Sequence, residues 1–175
     1  TSLREDLEQS GRDTKINFTS DWKKDSLRRD FTFNAMYLSC SGELFDYFNG
    51  QEDLANQQVR FIGNIEKKIK EDYLRIIRFY RFLGYFKNIK FIDDYEKILN
   101  DNISNIRSFI SYEVIKKELL KMLNNSFAKN SLINHHYPNQ KNELIINIEK
   151  WWEDDGYNTG LEKCINKINI LLSNL

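Results

Sequence analysis

The hydrophobic rhythm of this chain changes once, at Asn64, and that change limits what it can fold into. Before it, apolar residues come in short runs broken by turn residues, the pattern of strands. After it, Ile69, Tyr73, Ile76, Tyr80 and Leu83 recur every three or four positions, the pattern of an amphipathic helix, and helical spacing continues to the end. The chain therefore reads as α+β, with a β-rich front over residues 1–62 and helices after it. Its 175 residues suffice for one ordinary domain or two small layers sharing a core.

In the front part, "TKINFTSDW" alternates Ile16 and Phe18 with polar neighbours and predicts a half-buried strand. "TSLREDLEQSGRD" before it is loop-like. "FTFNAMYLSCSGELFDYFNG" reads as two apolar stretches around a turn at Ser41-Gly42, ending in a second turn at Asn49-Gly50. Val59 to Ile62 forms one more short strand or extended segment. Asn64 is an N-cap for a helix running to about Gly84. "YEKILNDNI" and "SYEVIKKELLKMLNN" give two further helices, the second with Val114, Ile115, Leu119, Met122 and Leu123 inward. "NELIINIEKWW" is another. In the last, Thr159 and Glu162 form a capping box, and Leu161, Ile165, Ile168 and Leu172 an apolar face.

Equal numbers of basic and acidic residues, 26 each, leave no global basic field, so any case for nucleic acid must be local. Cys40 and Cys164 lie far apart without a CxxC pattern, which argues against a disulfide framework or zinc knuckle and predicts inert buried thiols. No apolar run approaches the ~18 residues of a membrane span, and a reducing, cytoplasmic setting is the default. The chain opens on Thr1, which suggests a piece of something longer.

The most unusual segment is "EDYLRIIRFYRF", Glu71 to Phe82. On one helix, Asp72, Arg75, Arg78 and Arg81 would form a ridge of neighbours. Like charges at this spacing repel, so helix stability alone does not select them. A solvated face is the commonplace account of such a ridge, with the interleaved aromatic residues in the core. The chemical account is more specific. Arginine forks match phosphate oxygens. An Asp beside an Arg offers an acceptor next to donors, which complements the amine and ring nitrogen on the pairing edges of adenine and cytosine. Guanine and uracil show the reverse order, and each unmet polar group would cost about 1–3 kcal/mol. Upstream, "DSLRRDFTFNAMY" sets Arg28, Arg29 and Asp30 before an apolar strand, and "DYFNGQEDL" follows with Asp53.

In this order the segments resemble the tRNA nucleotidyltransferases (CCA-adding enzymes) and the related bacterial poly(A) polymerases. "RRDFTFNAM" is similar to the family's ribose-selecting motif, "DYFNGQEDL" to its hinge motif, "EDYLRIIRFYRF" to its nucleotide-templating motif, and "ISYEVIKKELLKML" to the helix that braces the templating helix. The resemblance covers about Thr1 to Leu123. It implies the rear of a nucleotidyltransferase head over 1–62, a helical neck over 63–123 and part of a helical body over 124–175. It further implies that Arg29 contacts the bound nucleotide, Asp30 its ribose, Asp72 and Arg75 the base edge, and that Arg78 and Arg81 complete the wall. Glu113 would lie in the bracing helix, where the family commonly follows it with Arg and this chain has Val114.

The implied reaction is transfer of C or A from CTP and ATP to the 3′ end of tRNA with magnesium ions, held in the family by two carboxylates one residue apart on a strand. Asp6-Leu7-Glu8 and Glu153-Asp154-Asp155 have the spacing, but the first reads as loop and the second as helix end. No metal ligand and no catalytic residue is therefore assigned, and the chain is expected to be inactive alone. A split enzyme rejoining an N-terminal fragment, a decayed remnant and a binding module for RNA or nucleotide are the alternatives. His135-His136 reads as a loop without an acidic partner, and Trp151-Trp152 as packing.

Overall fold

The computed structural model describes residues 3–10, 13–156 and 160–173. The chain divides into two compact units, Thr1–Asp72 and Tyr73–Leu175.

The first unit opens with an antiparallel pair, β1 (Arg4–Ser10) and β2 (Asp13–Phe18), in which Arg4 lies opposite Phe18 and Ser10 opposite Asp13. The expected loop is thus a strand. Its sequence, REDLEQS, carries no alternation, and pairing with β2 overrides the weak local preference. Ile16 and Phe18 were expected half-buried and are exposed, 43% and 69%; their pair of strands belongs to a two-stranded sheet. A short helix that the sequence pattern did not reveal follows, α1 (Trp22–Leu27). It starts because the Asp21 carboxylate accepts the N–H groups of Lys23 and Lys24.

Where an apolar strand was expected after Asp30, the chain first makes a 3-10 turn at Thr32–Ala35. The hairpin of β3 (Met36–Leu38) and β4 (Leu44–Asp46) then closes over the anticipated turn, with Gly42 at φ +85°. The Asp46 carboxylate accepts the backbone N–H groups of Phe48, Gly50 and Gln51 and so opens α2 (Gly50–Ala55). Phe31 bridges Phe61, and backbone bonds from Thr32 to the Arg60 carbonyl and from Ile62 to the Asp30 carbonyl fasten the two segments. Asp53, buried on α2, accepts from the Thr32 hydroxyl at 2.6 Å and from Arg60 Nε at 3.0 Å. Asn64 caps α3 (Ile65–Glu71) through the N–H of Lys67, as its position suggested.

The second unit is helical: α4 (Leu74–Leu83), α5 (Asp93–Phe109), α6 (Tyr112–Leu123), a 3-10 turn (Ala128–Ser131), α7 (Glu143–Asp155) and α8 (Glu162–Leu172). Helix α4 packs on α5 and α6, α5 on α7, and α6 on α8. Ile76, Ile77, Leu99, Ile115, Leu119, Leu144 and Ile168 are fully buried. On α8 the expected face of Leu161, Ile165, Ile168 and Leu172 is inward; Thr159 lies outside the described residues.

Two helical expectations need correction. The helix expected to run unbroken from Asn64 to Gly84 is two helices, separated at Asp72 and Tyr73. On α6, Val114 is half-buried and a carboxylate, Glu118, takes a buried place in the stripe. The α+β class stands.

Candidate nucleotide-binding site

In the first unit, the candidate residues Arg29 and Asp30 follow α1 directly, and α1 supplies their anchor. Asp25 has no exposed surface. Its Oδ1 accepts from the Arg4 backbone N–H at 3.0 Å and Arg28 Nε at 2.9 Å. Its Oδ2 accepts from Arg29 Nη2 at 3.0 Å, Arg29 Nε at 3.3 Å and the Tyr37 hydroxyl at 2.6 Å. Burial alone would raise the Asp25 pKa; the Tyr37 hydroxyl, the Arg4 amide and the guanidinium groups of Arg28 and Arg29 outweigh it and hold the carboxyl far below its usual range. The Tyr37 phenol is pushed up to about 12, by burial first and by its bond to Asp25 second.

Arg29 Nη1 also donates to the Asn34 carbonyl at 2.9 Å, and its guanidinium lies 5.1 Å above the Tyr37 ring, which itself stacks on Trp22. Asp30 is buried, and its Oδ1 accepts from the Phe31 N–H and from Asn34 Nδ2. The two candidates thus sit in one hydrogen-bonded turn. Asp25 and Tyr37 are the members that sequence reasoning missed. The signal was present: Asp25 stands three and four positions before Arg28 and Arg29, the spacing of helical neighbours, but it becomes readable only once α1 is known.

Asp72 is the residue after the last turn of α3, with extended backbone (φ −157°, ψ 107°), and is half-buried. It is therefore not on the helix that carries the arginines. Arg75, Arg78 and Arg81 all lie on α4. Arg75 and Arg81 are 7% and 8% exposed, and Arg78 is half-buried. A ridge whose only task was solubility would not turn two of its three arginines inward. Arg81 Nη1 meets Glu118 Oε2 of α6 at 2.7 Å, and its guanidinium lies 4.6 Å above the Phe82 ring. Glu118 Oε1 takes Lys121 Nζ at 2.7 Å, and Asn125 Nδ2 donates to the Arg81 carbonyl at 2.6 Å. Glu113, named from sequence for this helix, is exposed; Glu118, five residues on, makes the link to α4.

Among the described residues no group of three or more His, Cys, Asp or Glu side chains could hold a metal ion. Asp154 and Asp155 pair with Arg107. His136 does have an acidic partner, contrary to expectation: its Nε2 lies 3.0 Å from Glu96 Oε2, and Asn134 donates to the other oxygen. His135 stacks on Phe91 at 4.5 Å, and burial lowers its pKa to about 4. Cys40, expected buried, is exposed on the hairpin turn; Cys164 is buried, and both are free thiols. Trp151 is buried. No helix among the described residues is long and apolar enough to cross a membrane.

Comparison with known proteins gives a consistent picture. Residues 1–60 match the family described as the poly A polymerase head domain. The mitochondrial CCA tRNA nucleotidyltransferase 1 of Homo sapiens is 55% identical over 84 residues, 48% of this chain and 19% of that protein. The crystal structure of the Bacillus stearothermophilus CCA-adding enzyme in complex with CTP is similar with a TM-score of 0.66 at 30% identity, over 75% of this chain and 31% of that one. A tRNA nucleotidyltransferase complexed with a primer tRNA and an incoming ATP analog is similar with a TM-score of 0.55 at 29% identity, over 63% of this chain and 33% of that one. The chain thus spans a third or less of the length of these relatives.

Proposed function

Since the chain belongs to the family of tRNA nucleotidyltransferases and poly(A) polymerases, we propose that it supplies the nucleotide-recognising part of an enzyme that adds C and A to the 3′ end of tRNA without a template. In this reading residues 1–62 are the rear of the head, 63–123 the neck and 124–175 part of the body. Arg29 contacts the nucleotide phosphates and Asp30 the ribose. Asp72 accepts the exocyclic amine of cytosine or adenine while Arg75 donates to the ring nitrogen. Arg78 and Arg81 form the wall behind them.

The observation that carries the proposal is the likeness, over 75% of the chain, to a CCA-adding enzyme crystallised with CTP. The inward arginines of α4 support it, since buried guanidinium groups must be held by specific partners and are therefore pre-aimed. The substrates are CTP and ATP, and the acceptor is tRNA. Magnesium belongs to the implied reaction, and among the described residues no group of three or more His, Cys, Asp or Glu side chains could hold it. The compartment we propose is a reducing one, cytoplasmic or, as the human relative is named, mitochondrial. Poly(A) addition is the second reading, favoured by the description of the matched head domain.

Calorimetric titration of this chain with CTP, ATP, GTP and UTP tests the base-reading pair. CTP and ATP should bind about tenfold tighter than GTP and UTP, because each mismatch leaves polar groups unmet. D72A and R75A should each reduce that preference to near unity. Equal binding of all four by the unaltered chain, or an undiminished preference in D72A, refutes the assignment.

A further inference from the structure

The Asp25 cluster does more than join α1 to β1. Of the five N–H donors on the Arg29 guanidinium, Nε and one N–H of Nη2 go to Asp25 and one N–H of Nη1 goes to the Asn34 carbonyl. Of the two N–H groups left on the Nη atoms, one is engaged by the Tyr37 hydroxyl and the other remains for an oxyanion. The plane of the fork is fixed as well, since it lies over the Tyr37 ring, and the Tyr37 hydroxyl is bonded to the same carboxylate oxygen that holds Arg29. An arginine on a flexible stem would lose side-chain freedom on gripping a phosphate. Here that freedom is already removed by a buried anion whose own orientation is set by the Arg4 backbone, Arg28 and Tyr37.

We propose that Asp25 is the positioning residue of the nucleotide site: it holds Arg29 with its remaining N–H turned to the phosphates, and nucleotide affinity depends on it through Arg29. This rests on the reading of Arg29 as a nucleotide contact. The carboxylate is needed, not merely a side chain of its size. An amide in its place would turn two N–H donors toward a surrounding set made of donors, breaking bonds to Arg28 or to Arg29 and Tyr37.

The test is a double-mutant cycle on CTP affinity, measured by calorimetry on the full chain with D25N, R29A and the pair combined, each checked for folding by circular dichroism. D25N should weaken CTP binding by about tenfold and should add less than about twofold in the R29A background, since residues acting through one another are not additive. An equal loss in both backgrounds overturns the proposal while leaving Arg29 as a contact, because Asp25 would then act on the fold as a whole. No loss in D25N overturns it too. If R29A binds CTP as tightly as the unaltered chain, the reading of Arg29 fails and the role of Asp25 falls with it. Should D25N fail to fold, Y37F replaces it: loss of the hydroxyl that orients the carboxylate should weaken CTP by about threefold, again only when Arg29 is present. A threefold loss that persists in the R29A background overturns the proposal, as does the absence of any loss.

Discussion

A buried arginine needs a carboxylate, and for Arg81 it is Glu118. Their side chains are 10% and 7% exposed, and the 2.7 Å contact joins the last turn of α4 to α6. The exposed Lys121 shares the carboxylate but cannot replace it as partner to Arg81. Removing one member of such a pair strands the other charge in a poor solvent. E118A should therefore destabilise the chain by about 3 kcal/mol, read as a lowered midpoint of urea unfolding at unchanged slope. A loss under about 1 kcal/mol would mean that the pair behaves like a surface ion pair. This carboxylate was hidden in the sequence because it occupies a position of the apolar stripe: Ile115, Glu118, Leu119 and Met122 are all inward, and the eye reads an acidic residue at that spacing as solvent-facing.

At the scale of elements, α2 depends on the close approach of Gly50 to the 3-10 turn. A Cβ on Gly50 would lie 2.6 Å from the Thr32 carbonyl oxygen and 2.9 Å from the Phe33 Cα, both backbone atoms that cannot swing aside. G50A should cost about 2–3 kcal/mol by overpacking, whereas G42A, which meets nothing within 4 Å but sits at φ +85°, should cost about 1 kcal/mol through backbone strain. Urea unfolding of the two variants ranks them, and the reverse order would mean that the contact relaxes. The turn at Asn49-Gly50 was legible, as were the helices of residues 64–123, because Asn64, Gly84 and the apolar stripes act locally. Strand β1 and helix α1 were not. REDLEQS becomes a strand through its partner β2, and WKKDSL is too short to show a helical period. The break at Asp72 was also invisible: the period of Ile69, Tyr73 and Ile76 runs straight across it, although Asp72 is extended. The arginines of α4 were thus singled out by spacing and Arg29 by the family resemblance, while the carboxylates that hold Arg29 and Arg81, Asp25 and Glu118, needed the fold.

Across the whole molecule, the two units carry their strongest acid sensitivities in different pH windows. In the second, burial lowers the His135 pKa to about 4 from an ordinary 6.5. Its folded form then binds a proton less readily than the unfolded chain does, so its contribution is fully present above pH 6.5 and is lost as pH falls toward 4, about 2–3 kcal/mol in all. In the first unit, Asp25 is held far below its ordinary value of 3.8, so the stability it contributes is present above about pH 4 and disappears only below that. Amide hydrogen exchange, corrected for intrinsic rates, separates the two without a probe. Protection in α5 and α7 should fall between pH 6.5 and 4, while protection over residues 22–62 should hold until pH drops below about 4. H135F should abolish the first loss at a cost of about 1 kcal/mol near neutrality, because a phenyl ring keeps the stacking on Phe91 and removes the unpartnered Nε2 but gives up the imidazole's hydrogen bond to the Asn130 backbone. If H135F loses protection in α5 and α7 over the same range as the unaltered chain, His135 is not the group that titrates.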